Sequence, residues 1–470
     1  MRLRSLIIVP LIIVLTIVTS CNGQSEKTSL SDKEQVAILS KAYLYAYPLL
    51  TMDYTFKVST NTVSPNGMGK APVNQLAGLK KFPKAGFTGV VRPNVDTYYS
   101  LVYADLSQGP LYIHIPATER YYLVPILNAY SDVITSLGSR TTGQGSLDIA
   151  LVGPDYKGDV DSDLKVIRSN TSLNWLLGRV QVNDDEDGID EVKNFQEKMI
   201  VRPLEQRNNP NYEAAHGVVN PDYNFVPMKA VDALSIEDYM NQMMGLMSQN
   251  PPQVQDSVFV KQMAAVGIFP GGTFDLSTYS KAVQEQLVQI PSQVQKGFEK
   301  MTNAPQTKNV QNGWNVNTGG LGDYGVSYAL RAYVTKIGFG ANTAQDAIYP
   351  NTAVDSKGMV LNGSNAYVLH FDKEALPPVK GFWSITAYDK DGFLIENSID
   401  RYNLGDKKAL SYNPDGSLDL YIQAEAPRGY QSNWLPVEAG ADFELTFRMY
   451  WPEESILNRT WMMPGVQKVN

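Results

Sequence analysis

The densest run of potential chemistry is "VVRPNVDTYYSLVYADLSQGP", Val90 to Pro110. Between Arg92 and Tyr99 it supplies a guanidinium, an amide (Asn94), a carboxylate (Asp96), a hydroxyl (Thr97) and two phenols (Tyr98, Tyr99), just ahead of a strand-like segment. A strand starting near Val95 would put Asp96, Tyr98 and Ser100 on one face and Tyr99, Leu101 and Tyr103 on the other. Asp96 could then accept from ligand hydroxyls or act as a general base or acid, while Tyr98 offers a flat face and an O–H. The local alternative is that Asn94 and Asp96 cap a turn through nearby backbone amides and the tyrosines are core. A second group, Tyr324, Tyr328 and Arg331 in "DYGVSYALRAYVTK", is spaced at four and three residues and so shares one helical face. It could present a phenol and a guanidinium to a cleft, or pack between domains with the arginine paired.

These residues define an expected site. Asp96, Tyr98 and Arg331 are the candidate catalytic residues, for acid–base work, substrate orientation and anion binding. Arg92, Asn94, Tyr324, Tyr328 and Trp434 are the candidate ligand-binding residues, with Trp434 of "NWLP" able to stack on a sugar ring or to sit in a core. Asp96 and Arg331 are expected to approach one cavity.

Other motifs are weaker. The Gly-rich "SLGSRTTGQGSLD" could receive an anion on its amides and Arg140, or be a solvated loop. "FLIENSIDRYNLGD" suggests an ion pair of Arg401 with Asp400 or Glu396. His114 and His370 lie in strand patterns and read as packed, hydrogen-bonded side chains. "VNDDEDGIDEV" resembles the start of a calcium loop through Asn183, Asp185, Asp187 and Gly188, but Asn194 stands where an EF-hand needs Glu. Acids opening a helix explain that stretch better. There is no H-E-x-x-H, no G-x-S-x-G and no dinucleotide signature, so neither a metal nor a redox cofactor is expected.

The elements that must position these groups follow from periodicity. Ser31 with Glu34 makes a capping box for a helix carrying Val36, Leu39, Tyr43 and Ala46, with Pro48 ending or kinking it. Short strands separated by turns run over 88–180, a mostly helical segment over 181–345, and strands again over 346–470. The group Met240, Met243, Met244 and Met247 reads as core packing. Asp391-Gly392 predicts a two-residue hairpin turn setting Tyr388 opposite Ile395 and Thr386 opposite Asn397. The fold expected is mainly β with a helical middle segment and two antiparallel sandwich or jelly-roll-like domains.

Of the residues, 43% are hydrophobic and 19% charged, so the chain is globular; the net charge of -8 and the lack of any basic stripe argue against nucleic acid. Residues 1–21 read as a lipoprotein signal: Arg2 and Arg4, an apolar run from Leu6 to Val18, then Val18-Thr19-Ser20-Cys21 in the pattern of a lipobox. Residues 22–87 hold a polar tether, the helix and a loop. Cys21 is the only cysteine, so its lipidation would leave the mature chain without a thiol, disulfide or Cys-ligated metal. The membrane would be reached through that lipid only, and Asn22 after it favours the outer membrane or cell envelope.

"RPNVDTYYSLVYADLSQGP" and "SLGSRTTGQG" resemble the bacterial domain of unknown function 1254. "YGVSYALRAYVTKIGFGANTAQDAIYP", "GFWSITAYDKDGFLIENSIDRYNLGD" and "NWLPVEAGADFELTFRMYWP" resemble domain of unknown function 1214. The resemblance implies a two-part, β-rich, often exported protein and no particular reaction. Beside it, the residues suggest a hydrolase or lyase acting on a small polar or carbohydrate-like molecule in an inter-domain pocket. The alternatives are a non-catalytic glycan or small-ligand binder, and a structural or assembly protein whose tyrosine-rich strands pair two copies in a homo-oligomer.

Overall fold

The computed structural model describes residues 30–183, 186–303 and 309–469. The segment read as a lipoprotein signal, with Cys21, and Asp185 of the calcium-like stretch lie outside them. Among the described residues no helix is long and apolar enough to cross a membrane.

The chain opens with the helix Asp32–Thr60, capped as expected by the reciprocal Ser31 and Glu34 hydrogen bonds. Pro48 neither ends nor divides it. A proline inside a helix costs about 3 kcal/mol, but every residue from Tyr45 to Asp53 is buried. The helices Pro227–Asp232, Ile236–Gln249, Lys281–Leu287 and Tyr328–Gly338 enclose it, and that packing outweighs the lost hydrogen bond. Met240, Met243, Met244 and Met247 are all in this helical core, as their spacing predicted.

The first β domain packs two sheets. One has the order Leu76–Leu79, Thr97–Asp105, Leu173–Gln181, Tyr122–Asn128, Val133–Gly138. The other has the order Lys165–Arg168, Leu147–Val152, Leu111–Ile115, Ile200–Pro203. Val102, Ile113, Ile126, Ile149 and Leu176 fill the space between them. Pairing is antiparallel except between Leu147–Val152 and Lys165–Arg168. Two strands fall outside the expected 88–180 span. Leu76–Leu79 is hidden in a Gly- and Pro-rich stretch, and Ile200–Pro203 is brought back by the helix Glu186–Lys198, which buries Val192 and Phe195 in the same core.

The C-terminal β domain also packs two sheets. The larger is built around Val379–Asp389 and Phe443–Pro452, with Asn403–Gly405 at one edge and Val310–Gln311 at the other. The smaller has the order Trp434–Pro436, Leu418–Gln423, Ala366–Phe371, Gln467–Val469. Trp314, Leu369, Trp383 and Phe447 lie in the core between them. The predicted hairpin has a different register. Tyr388 pairs with Leu394 and Thr386 with Asn403, because the loop has three residues and ends on Gly392 at φ +84°. Asp389 enforces this by accepting from the backbone N–H groups of Asp391 and Phe393, each at 2.9 Å.

One glycine fixes the turn that borders the cleft described below. Gly138 has φ +142°, and a Cβ there would lie 2.3 Å from the Tyr122 carbonyl oxygen. Gly143 has φ +79° but open space around it. Gly138→Ala should therefore cost more stability than Gly143→Ala, with the strained backbone alone worth about 1–3 kcal/mol. Urea unfolding of the two variants measures the difference.

Candidate functional site

The polar run before the first long strand is a fastening between the two β domains. The strand starts at Thr97, so Asp96 escapes its alternation and faces the C-terminal domain, while Tyr98 turns into the first sandwich. Asp96 is buried and accepts from Ser384 Oγ at 2.7 Å and Asn403 Nδ2 at 2.5 Å. Asn94 Oδ1 accepts from the backbone N–H groups of Asp96 and Thr97, and its Nδ2 donates to the Tyr450 phenol at 3.0 Å. Arg92, at φ +51°, pairs with Glu444. Arg448 and Tyr388 donate to the carbonyls of Arg92 and Pro93. The local capping role of Asn94 thus coexists with a role the sequence did not reveal.

Arg331 belongs to another cluster. It is fully buried on the helix Tyr328–Gly338, donates to Asp132 Oδ2 at 2.7 Å, and lies 5.3–5.6 Å from the ring centroids of Tyr45, Tyr130 and Tyr328. Tyr328 donates to Asp256 Oδ1 at 2.8 Å, and the backbone N–H of Tyr324 reaches Asp132 Oδ1. Burial raises the pKa of both Asp132 and Asp256, and Arg331 opposes that rise. The structure brings Tyr324, Tyr328 and Arg331 together, although Tyr324 precedes the helix instead of sharing its face, but does not bring them to Asp96. The expectation of one shared cavity is corrected on this point, because each group has its own buried partners. Trp434 is also elsewhere: it is buried at a sheet edge, with Nε1 donating to the Gln423 carbonyl at 2.8 Å. Arg140 is held by Asp346 at 2.6 Å rather than left for an anion. Asp400 pairs with Lys84, while Arg401 donates to the carbonyls of Gln431 and Trp434.

The open space lies beside the fastening. A cleft of about 590 Å³ is walled by Tyr121, Ser139, Gln144, Gln181 and Asn183 from the first β domain, and by Lys380, Lys407 and Trp451 from the second. Trp451 sits at φ +52°, a costly conformation for a bulky residue, and its backbone N–H donates to the Asp346 carbonyl at 2.7 Å. The Tyr121 phenol donates to the same carbonyl at 3.1 Å. Lys380 Nζ is 5.9 Å from the Trp451 ring centroid. Gly381 is required between them, since a Cβ there would lie 2.9 Å from the Tyr121 ring. At the rim Arg120 neutralises Glu191 at 2.6 Å, and Glu119 adds a carboxylate.

A side pocket of about 20 Å³ shares Gln181, Asn183 and Lys407 with this cleft and reaches Asp96, Ser384 and Asn403. That volume holds about one water, so a substrate-sized group does not reach Asp96. An aromatic face, amides, a hydroxyl and ammonium groups suit a polar, hydroxylated ligand. Among the described residues no three His, Cys, Asp or Glu side chains are grouped to hold a metal. Sequence reading missed Tyr121, Gln144, Lys380 and Trp451. The usable signal was "MYWP", where Trp451 directly precedes a proline, as Trp434 nearly does in "NWLP".

Both strand histidines have cross-strand carboxylate partners. His114 is opposite Asp148, with Nδ1 at 2.9 Å, and His370 is opposite Asp419, with Nδ1 at 2.6 Å.

Two antiparallel-rich β domains joined by a helical module define the class of fold. The chain belongs to the two-module family in which residues 73–203 match the model described as protein of unknown function (DUF1254) and residues 346–454 match that of protein of unknown function (DUF1214). Among solved structures it is similar to the VPA0106 protein from Vibrio parahaemolyticus, at 20% identity and a TM-score of 0.69, over 93% of this chain and 100% of that one. An uncharacterized protein from Burkholderia cenocepacia aligns at 12% identity and a TM-score of 0.43, over 93% of this chain and 95% of that one. No curated protein matches.

The buried Arg331–Asp132 pair and the half-exposed His370–Asp419 pair each give a measurable outcome. Asp132→Ala leaves Arg331 buried without its carboxylate and should cost about 3–5 kcal/mol in urea unfolding, part of it recovered by adding Arg331→Met. The hydrogen bond to Asp419 raises the His370 pKa above its ordinary 6.5. Its stabilisation is therefore complete below that value and is lost as pH rises through the raised folded pKa. The native chain should exceed His370→Gln in stability by more at about pH 5.5 than at about pH 8.5.

Proposed function

We propose that this protein binds a small, hydroxylated, carbohydrate-like molecule in the cleft between its β domains, while tethered to the cell envelope through Cys21. The observation that carries the reading is Trp451, held at φ +52° with Lys380 over its ring and facing a wall of amide and hydroxyl side chains. Backbone strain of this kind persists only where surrounding contacts enforce it, and it clusters at ligand sites. Sugars stack their apolar faces on such rings and exchange hydrogen bonds with Asn, Gln and Lys.

The binding reading is preferred to a hydrolase or lyase. Both carboxylate oxygens of Asp96 are already engaged, and Arg331 is sealed in the helical module. Acid–base work would fall to Glu119 and Glu191, and Arg120 already holds Glu191. An assembly role through tyrosine-rich strands is disfavoured because Tyr121, Tyr388 and Tyr450 are buried within one chain.

The test is thermal unfolding of the mature chain with a panel of mono- and disaccharides. A ligand at a hundred times its dissociation constant stabilises by about 2.7 kcal/mol, a visible rise in Tm. The rise should vanish in Trp451→Gly, where glycine keeps the positive φ, and weaken in Gln144→Ala. A panel with no hit, or hits indifferent to Trp451→Gly, would overturn the reading.

A further inference from the structure

Behind the cleft, where the two β domains meet, the buried charges do not balance. Arg179 and Arg448 are 7% and 4% exposed, and Asp96, 4% exposed, is close enough to Arg448 to interact with it electrostatically. Among the described residues Arg179 has no carboxylate partner. Its Nη1 donates to Asn342 Oδ1 at 2.7 Å and to the Leu177 carbonyl at 3.4 Å, and its Nη2 to the Gly340 carbonyl at 3.4 Å. Its Nε has no hydrogen-bond partner among the described residues. A buried charge without a counter-charge is strongly disfavoured.

The surrounding groups are also short of acceptors. Arg179 lies 5.3 Å from the Tyr99 ring centroid, is close enough to the Tyr99 phenol for a side-chain hydrogen-bond interaction, and interacts electrostatically with the phenols of Tyr349 and Tyr450. The Tyr349 oxygen accepts from Asn342 Nδ2 at 2.6 Å, and the Tyr450 oxygen accepts from Asn94 Nδ2 at 3.0 Å. Each phenol is thus used as an acceptor and keeps its own O–H proton, for which the described residues offer no acceptor in hydrogen-bond reach. The two rings are 6.3 Å apart between centroids. Tyr99 and Tyr349 are only partly buried, so the cluster is not sealed on every side.

We propose that Arg179, with the hydroxyls of Tyr349 and Tyr450, forms a binding site for one small monovalent anion at the junction of the two β domains. Such an ion supplies the missing negative charge and accepts from Nε and the two phenolic protons together. This is independent of what the cleft binds. It also differs from the balanced pairs nearby, since Arg140 and Arg92 each have their own carboxylate.

The test uses the mature chain and bromide. Thermal unfolding is followed as bromide replaces fluoride at constant sodium concentration and ionic strength. The Tm of the native chain should rise with the logarithm of bromide concentration. Tyr349→Phe removes one donor and should shift the half-saturating bromide concentration about tenfold upward, as expected for one lost hydrogen bond to an ion. Arg179→Met should flatten the response. Crystals grown in bromide should show an anomalous peak between the Arg179 guanidinium and the two phenols. An equal bromide response in the native chain and Tyr349→Phe, or bromide peaks confined to the protein surface, would overturn the proposal. Tyr349→Phe keeps the test decisive if Arg179→Met does not fold.

Discussion

One carbonyl and one carboxylate of the same residue hold the cleft together. The side chain of Asp346 accepts from Arg140, Ser136 and Thr343, and its main-chain oxygen accepts from the Tyr121 phenol and the Trp451 backbone. Tyr121 comes from the first β domain and Trp451 from the second, so both walls are referenced to one atom. Hydrogen bonds to a charged group are worth about 1.5–3 kcal/mol each, and those made away from water leave costly vacancies if broken. Two domains joined this way have one preferred relative position. A cleft between freely sliding domains would have no fixed shape.

The Arg92–Asp96 segment does the same work from the other side. Asp96 holds Ser384 and Asn403 on adjacent strands, and Arg448 grips the carbonyls just before it. The helical module is tied in by Arg331, whose guanidinium contacts Asp132 of the first β domain and three tyrosine rings at once. In all three places a charged group is buried with partners from distant sequence. Polar groups at domain junctions here specify a geometry more than they add net stability, because their desolvation offsets much of their attraction.

This is why the sequence was legible to different depths. The Ser31–Glu34 capping box and the Met240–Met247 core stripe are local and were correctly read from neighbours in the chain; the alternation expected from Val95 holds from Tyr98 onward but not for Asp96, which lies before the strand. The helix runs on past Pro48 rather than ending there because the burial that overrides its cost comes from helices about 180 residues or more away. The polar run from Arg92 to Tyr99 was rightly singled out as unusual, but its partners are Ser384, Tyr388, Asn403, Arg448 and Tyr450, whose proximity no local pattern encodes. Dense hydrogen-bonding capacity in a strand approach has the same appearance whether it faces a ligand or another domain. Trp434 and Trp451 show the same limit: both adjoin proline motifs, and only the tertiary fold decides which ring is buried.

The strain at Trp451 connects the fastening to the cleft. An L-residue at positive φ is disfavoured by about 1–2 kcal/mol, and here it is maintained by the hydrogen bond from its N–H to Asp346 and by the close seating of Gly381 against Tyr121. If packing alone were at stake, a tryptophan in the extended conformation of its own strand could have continued into the core beside Met449 and Phe447. Instead the backbone turns at Trp451, and the ring stays partly exposed beneath Lys380. The contacts that lock the domains are therefore also the contacts that hold an aromatic face toward solvent. A ligand stacking on that face would meet a surface already ordered, and would lose little affinity to rearrangement of the protein.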